Sequence, residues 1–472
     1  MKVTSSSWIH EVKPLLKELQ QELGARYERA TILAADECQR IFGVSASGIT
    51  VSESDRMGRR GFVARVYDRD TCMEYAASGI TKEDIPVIVR KIGEDLSNLG
   101  AGFERCPAVP EKEQELSYVK GTEYLVHPQD RSDEEILDTL SSIRREALSM
   151  DERLLDCSMW LQNHIYHKLF LSDKKDLEQN CMHTCGSMAV LARKGEEIKE
   201  SYKSFSGMCG LELMDRFRAS LSGCVKNALD LLSSEPLQPG TYECVCTPEV
   251  TGMIVHEAFG HGVEMDMFVK DRALAKNCMG DMLASPLVNM RDGADAADEV
   301  ASFFFDDEGN EAGNTLILDH GKLVSGMVDS LSACRLQMKP TGNGRRESVE
   351  RKAYTRMTNT FFEGGSDSPE EMIASVKDGL LLCEPTSGME DPKNWGIQCM
   401  VSFAREIKDG KLTGRIFSPI ILSGYVPDLL RSITMMSPEV QLEGGGACGK
   451  GYKEWVKVSD GGPWIKARIR LG

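Results

Sequence analysis

The stretch SSEPLQPGTYECVCTPEVTGMIVHEAFGHGVEMD, Ser233 to Asp266, divides the chain and opens its second half. SSEPLQPG, Ser233 to Gly240, carries two prolines and a glycine among small polar residues, the composition of a domain boundary. Thr241 to Cys246 then reads as a strand. Thr247 stands where an N-cap belongs, and Pro248 where a first-turn proline is tolerated because its missing N–H has no partner to lose. The expected fold class is therefore α+β: a mixed α/β domain over residues 1–235, then a β-rich domain over 236–472 that carries one short metal-binding helix.

That helix holds His256, Glu257 and His261. Neutral imidazole nitrogens suit Zn²⁺, and a neighbouring carboxylate can take a proton from a zinc-bound water. The common H-E-x-x-H arrangement spaces its histidines four apart, on one helix face. Here the spacing is five, which sets them about 140° apart on an ideal α-helix. Two readings stay open: coincidence, or a metal site whose helix widens in a π-bulge or breaks near Gly260. The second reading requires a third ligand.

Cys448 is the candidate, in GGGACGK, Gly444 to Lys450. Its glycine neighbours permit close backbone approach, and a thiolate is a strong zinc ligand. A free thiol in a flexible loop fits the same residues. The other histidines offer less. His164 and His167, three apart on a strand, point to opposite faces. Cys181, His183 and Cys185 share a face, but residues four apart on a strand lie roughly 13 Å apart, too far for one zinc. His320 sits in a turn, and His10 and His127 lack companions. Gly342 to Arg346, GNGRR, is not a phosphate loop; its arginines are either surface charge or anchors for a peptide carboxylate. No G-x-S-x-G is present for serine chemistry.

Bulk properties exclude several classes. A formal net charge of −17 opposes nucleic acid or an anionic membrane as partner. No apolar run is long enough to span a bilayer, and MKVTSSSWIHEVKPLL at the start has no apolar core of a signal peptide. The 15 cysteines are scattered and include no C-x-x-C, so reduced thiols in a cytoplasm are expected rather than a redox function.

Outward from the boundary, 3–4 spacing predicts helices over Trp8–Leu23, Thr81–Leu99 and Leu213–Leu232, and over Ser132–Ala147, where Ser132 and Glu135 form a capping box. Strands are expected within Arg26–Gly48, a hairpin over Gly61–Ala76 and a meander over Leu154–Ser206. Pro107–Tyr124 reads as a linker or long loop. Tight hairpin turns are expected at His320–Gly321 and Asp409–Gly410.

HEAFGHGVEMD, FFFDDEG, TGNGRRES followed by RMTNTFFEGG, and GACGK together resemble the TldD/PmbA family of metallopeptidases, in the family's order across residues 240–450; GRRGFVARVYDRDTCMEYAASG extends the resemblance into the first half. The family's TldD-type subunit carries HExxxH and the cysteine, its partner subunit does not, and this sequence looks like the catalytic type. The resemblance implies Zn²⁺ held by His256, His261 and Cys448, with Glu257 as general base. It also implies a cytoplasmic homodimer, or a heterodimer with a PmbA/TldE-like subunit, whose enclosed cavity admits unfolded or leader peptides. Departures lie at Gly451–Lys453 and in TSGMEDPKNWG, Thr386 to Gly396, and bear on substrate choice. The competing reading is a catalytically silent scaffold that binds a peptide or partner.

Overall fold

The computed structural model describes residues 1–53, 60–69, 71–98, 114–450 and 453–472. The chain is α+β, and long strands dominate its first half. Helix α1 (Ser7–Gly24) starts where the Ser6 side chain accepts from the Ile9 amide, and buries Ile9, Val12, Leu16, Leu19 and Leu23 along one stripe. It leads into β1 (Arg29–Ser45), β2 (Gly48–Glu53), β3 (Gly61–Asp68) and β4 (Thr71–Ala77). Then come α2 (Asp84–Ser97), β5 (Leu116–Gly121) and α3 (Asp133–Leu148), followed by β6 (Leu154–Leu171), β7 (Lys175–Lys194), β8 (Glu197–Gly207) and α4 (Met214–Leu231). The expected capping box at Ser132 and Glu135 is formed. The strands make one eight-stranded sheet in the order β4–β3–β1–β6–β7–β5, with β2 beside β1 and β8 beside β7.

Side-chain alternation gives this sheet two faces. Ile32, Ala34, Phe42 and Val44 of β1 point to one side, where α1 and α2 cover one end and α3 and α4 the other. Leu33 of β1, Val63 of β3 and Phe170 of β6 point to the opposite side and pack on Phe305 from the second half. Phe217 of α4 anchors the helical side: it is fully buried and stacks on Phe205 with ring centroids 4.3 Å apart. Phe217→Ala is expected to cost about 3–5 kcal/mol, seen as a lower urea midpoint at unchanged slope. A loss under about 1 kcal/mol would mean the site collapses around the smaller side chain.

Two expectations need correction. Pro107–Tyr124 is not loop throughout. Residues 101–113 lie outside the described set, but Leu116–Gly121 is β5, paired in parallel with β7. Its sequence reads as loop because the strand lies at the sheet edge, with Leu116 and Tyr118 only half-buried on one face and an apolar Val119 on the exposed face. Thr247 occupies the N-cap position, yet its side chain makes no capping bond and its buried hydroxyl has no partner.

In the second half, β9 (Gly240–Cys246) is flanked in parallel by Asp378–Asp391 and antiparallel by Ile465–Leu471. Ile465–Leu471 pairs with Ile420–Tyr425, which pairs with Gly396–Lys408, and that strand returns to Asp378–Asp391. The pairing closes a β-barrel, which leaves these strands no open edge. The expected turns at His320–Gly321 and Asp409–Gly410 are both present, with positive φ at all four residues as a type I′ turn requires. A second, six-stranded sheet includes Asn359–Phe362, Gln441–Glu443 and Ser459–Gly462.

Ion pairs and hydrogen bonds join the halves through the FFFDDEG segment. Arg65 meets Glu308 at 2.5 Å, Lys168 meets Asp307 at 2.6 Å, and the Gln179 amide donates to the Phe305 carbonyl at 3.0 Å. Among the described residues, no helix is long and apolar enough to cross a membrane.

Candidate metal centre

Cys246 ends β9, and after Thr247 the chain enters a six-residue α-helix, α5 (Pro248–Met253). The helix then widens. Residues Ile254–Gly260 form a π-helical stretch, and His261–Val263 a 3₁₀ turn. A turn closing i→i+5 brings residues five apart onto one face, which the HExxxH spacing demands of a shared site. Gly260 ends the wide stretch against Met357, whose sulfur lies 2.4 Å from where a Cβ at Gly260 would stand, so only glycine fits.

The His256 and His261 rings stand edge to face, 5.0 Å between centroids. Cys448 comes from the far end of the chain, on the hairpin formed by Ala447–Lys450 and Lys453–Lys457. Its Sγ lies 3.4 Å from His261 Nε2, and one donor atom from each of His256, His261 and Cys448 falls within 4.8 Å of the others. Tetrahedral zinc with ordinary bond lengths separates a nitrogen from a sulfur ligand by about 3.6 Å. The donor set therefore fits a zinc ion with small adjustment, and it is the only such cluster of three among the described residues.

The surroundings set the charge state of each group. Burial holds His256 in the neutral form, its pKa pulled down to about 3 with His261 and Arg356 adding to the effect. Its Nδ1 lies 3.6 Å from Asp460 Oδ2. Burial would also lower His261, but Cys448 and Glu264 on either side hold it well above the usual imidazole range; Glu264 Oε2 is 3.2 Å from its Nδ1. Burial raises Glu257 above the usual carboxylate range, opposed by His261. Burial pushes Asp460 up to about 7, with Glu257 and Glu443 adding to the shift.

Several groups that complete the site were not singled out in the sequence. Burial alone would raise Glu264, yet Lys450, His261 and Arg356 keep it ionised. Its Oε1 accepts from Arg356 Nε at 3.2 Å, and its Oε2 lies 3.3 Å from Lys450 Nζ. Arg356 also donates through Nη2 to the Cys448 Sγ at 2.9 Å and to its carbonyl at 3.0 Å. Glu264 follows His261 by three residues, within one helical turn, and that spacing is its signal. Arg356 stands in the RMTNT motif with no local pattern to mark it, and Asp460 has no signal at all.

Strand Asp378–Asp391 lies across the helix. Gly388 faces Glu257, whose Cγ is 2.4 Å from the position of a Cβ there, and the departure TSGMEDPKNWG is thereby placed over the site. A cavity of about 900 Å³ opens here, lined among others by Glu257, His261, Tyr202, Met389, Glu443 and Trp455.

The rival residues go elsewhere. His164 Nε2 lies 3.2 Å from Glu37, and His167 Nδ1 bonds to Asn180 at 2.7 Å. Cys185 Sγ receives Lys457 Nζ at 3.3 Å, and His320 is exposed. The GNGRR arginines are engaged within the fold. Arg345 donates to the Met357 carbonyl at 2.7 Å, and the buried Arg346 pairs with Glu74.

Residues 239–468 match the PmbA/TldA metallopeptidase C-terminal domain. A protein named zinc metalloprotease TldD homolog from Saccharolobus solfataricus is 26% identical, the match covering 96% of this chain and 98% of that protein. A metalloprotease from Methanothermobacter thermautotrophicus is 29% identical over 59% of this chain, and this match spans 61% of that relative's length. The solved structure of TldE from Thermococcus kodakarensis superposes with a TM-score of 0.72 at 15% identity, covering 96% of this chain and 99% of that one.

Proposed function

We propose that this chain is a TldD-type catalytic subunit of the PmbA/TldD metallopeptidase family, a zinc peptidase acting on unfolded or leader peptides. The convergence of His256, His261 and Cys448 beside a buried Glu257 carries this reading. The three residues would hold the ion, and a donor set of three protein residues is that of catalytic rather than structural zinc sites. When bound, zinc would supply Lewis acidity and activate a water molecule for attack.

The chain's own residues do the rest. Glu257 accepts the proton of the attacking water and returns it to the leaving amine, a task suited to a carboxylate made more basic by burial. Neutral His256 presents a lone pair without losing a proton first, whereas His261 must give one up. Glu264 fixes the His261 ring by accepting at Nδ1. The cavity suits an extended peptide segment and is far too small for a folded domain. A cytoplasmic homodimer, or a heterodimer with a TldE-like subunit, would enclose this cavity; the likeness to TldE supports a partner built on the same fold.

Cys448→Ala is expected to lower zinc content sharply while leaving the far-ultraviolet dichroism unchanged, measured by elemental analysis after dialysis against a weak chelator. Parent-like zinc in Cys448→Ala would remove the third ligand. A folded parent that takes up no zinc would leave the silent scaffold as the function.

A further inference from the structure

We infer that Arg356 is the positioning residue of the metal centre: one buried guanidinium that sets both the cysteine and one histidine ligand before any ion arrives. The inference rests on the zinc reading above. Arg356 is fully buried, and each of its three nitrogens is used. Nη2 holds Cys448 at two points, the sulfur at 2.9 Å and the carbonyl at 3.0 Å. Nη1 donates to the Glu454 carbonyl, on the facing strand of the same hairpin. Nε donates at 3.2 Å to Glu264, whose other oxygen lies 3.2 Å from His261 Nδ1.

The consequence is a rigid connection between two ligands that are 187 residues apart in sequence. A planar fork with donors on three sides can do this, whereas a lysine ammonium is a single compact point on a flexible stem. The charges also balance locally. Glu264 stands between Arg356 and Lys450, and Lys450 in turn meets Asp266 at 2.6 Å. Glu264 and Asp266 are thereby committed to holding the site. Partners that orient metal ligands are typically worth about 10–100-fold in metal affinity.

The test compares the parent, Cys448→Ala, Arg356→Lys and the double variant Arg356→Gln/Glu264→Gln, which removes both buried charges together. Zinc affinity is measured by chelator competition, Co²⁺-loaded spectra report thiolate ligation, and thermal unfolding of the metal-free proteins reports the fold. Arg356→Lys is expected to bind zinc about 10–100-fold more weakly, to weaken the sulfur-to-cobalt charge-transfer band, and to lower kcat with KM near the parent's. The double variant keeps the fold measurable should the single one be unstable, and is expected to show the same weakened affinity. A purely structural role would lower the unfolding temperature but leave the zinc affinity and cobalt spectrum of the folded fraction unchanged, which would overturn the inference. If Cys448→Ala loses zinc and both Arg356 variants keep it, the inference alone fails. If Cys448→Ala binds as the parent does, the ligand assignment itself fails, and this inference with it.

Discussion

Zinc-loaded Glu257→Gln is expected to cleave an unstructured peptide about 10²–10⁴-fold more slowly than the parent while holding the same amount of metal. The amide keeps the size of the side chain and removes its capacity to take a proton. Glu257 is not among the three converging donors, so its loss should not touch zinc content. Its basicity comes from burial, with the strand Asp378–Asp391 packed against it at Gly388. The assay is single-turnover cleavage of a fluorogenic peptide at matched zinc occupancy, with a TldE-like subunit added if one is required. Cleavage at the parent rate would remove Glu257 from the mechanism.

Gly388→Ala is expected to lower kcat by about 10²-fold through geometry alone. The added methyl would stand 2.4 Å from Glu257 Cγ and 3.0 Å from its Cβ, atoms too near the backbone to swing aside without moving the carboxylate. Gly388 does not have a positive φ, so the substitution adds no backbone strain of its own. Overpacking of this kind is expected to cost about 1–3 kcal/mol in stability, so kcat is compared on the folded protein at matched zinc content. A parent-like kcat would show that the carboxylate tolerates displacement, contrary to the positioning described above.

Much of the local structure was readable because helices and strands announce themselves by period. The α1 stripe, the β3–β4 hairpin and the two type I′ turns each follow from residues that are neighbours in sequence. The wide turn at Ile254–Gly260 was also legible, since a five-residue histidine spacing makes sense only with such a defect. What stayed hidden was long-range. Arg356 and Asp460 reach the site through sheet pairing between distant strands, and no local pattern encodes which strand lies beside which. Cys448 stood out among its glycines, but only family resemblance chose the ligand over the loop thiol that the same residues allow. The edge strand β5 was missed for a related reason: Val119 is apolar on the exposed face, so the sequence does not alternate as the burial does.

The closed barrel has a consequence in time as well as in space. β9 hydrogen-bonds only to residues made much later: Gly379–Leu382 on one side and Ile465–Leu471 on the other. The helix bearing His256 begins one residue beyond β9, so it has no fixed platform until both later strands arrive. During synthesis, at roughly 5–20 residues per second, the eight-stranded sheet of the first half can form while the barrel is still missing its closing strand. A chain still on the ribosome thus carries the HExxxH segment without a place to put it. Any hydrolytic capacity would await synthesis of Ile465–Leu471, the strand that closes the barrel beside β9.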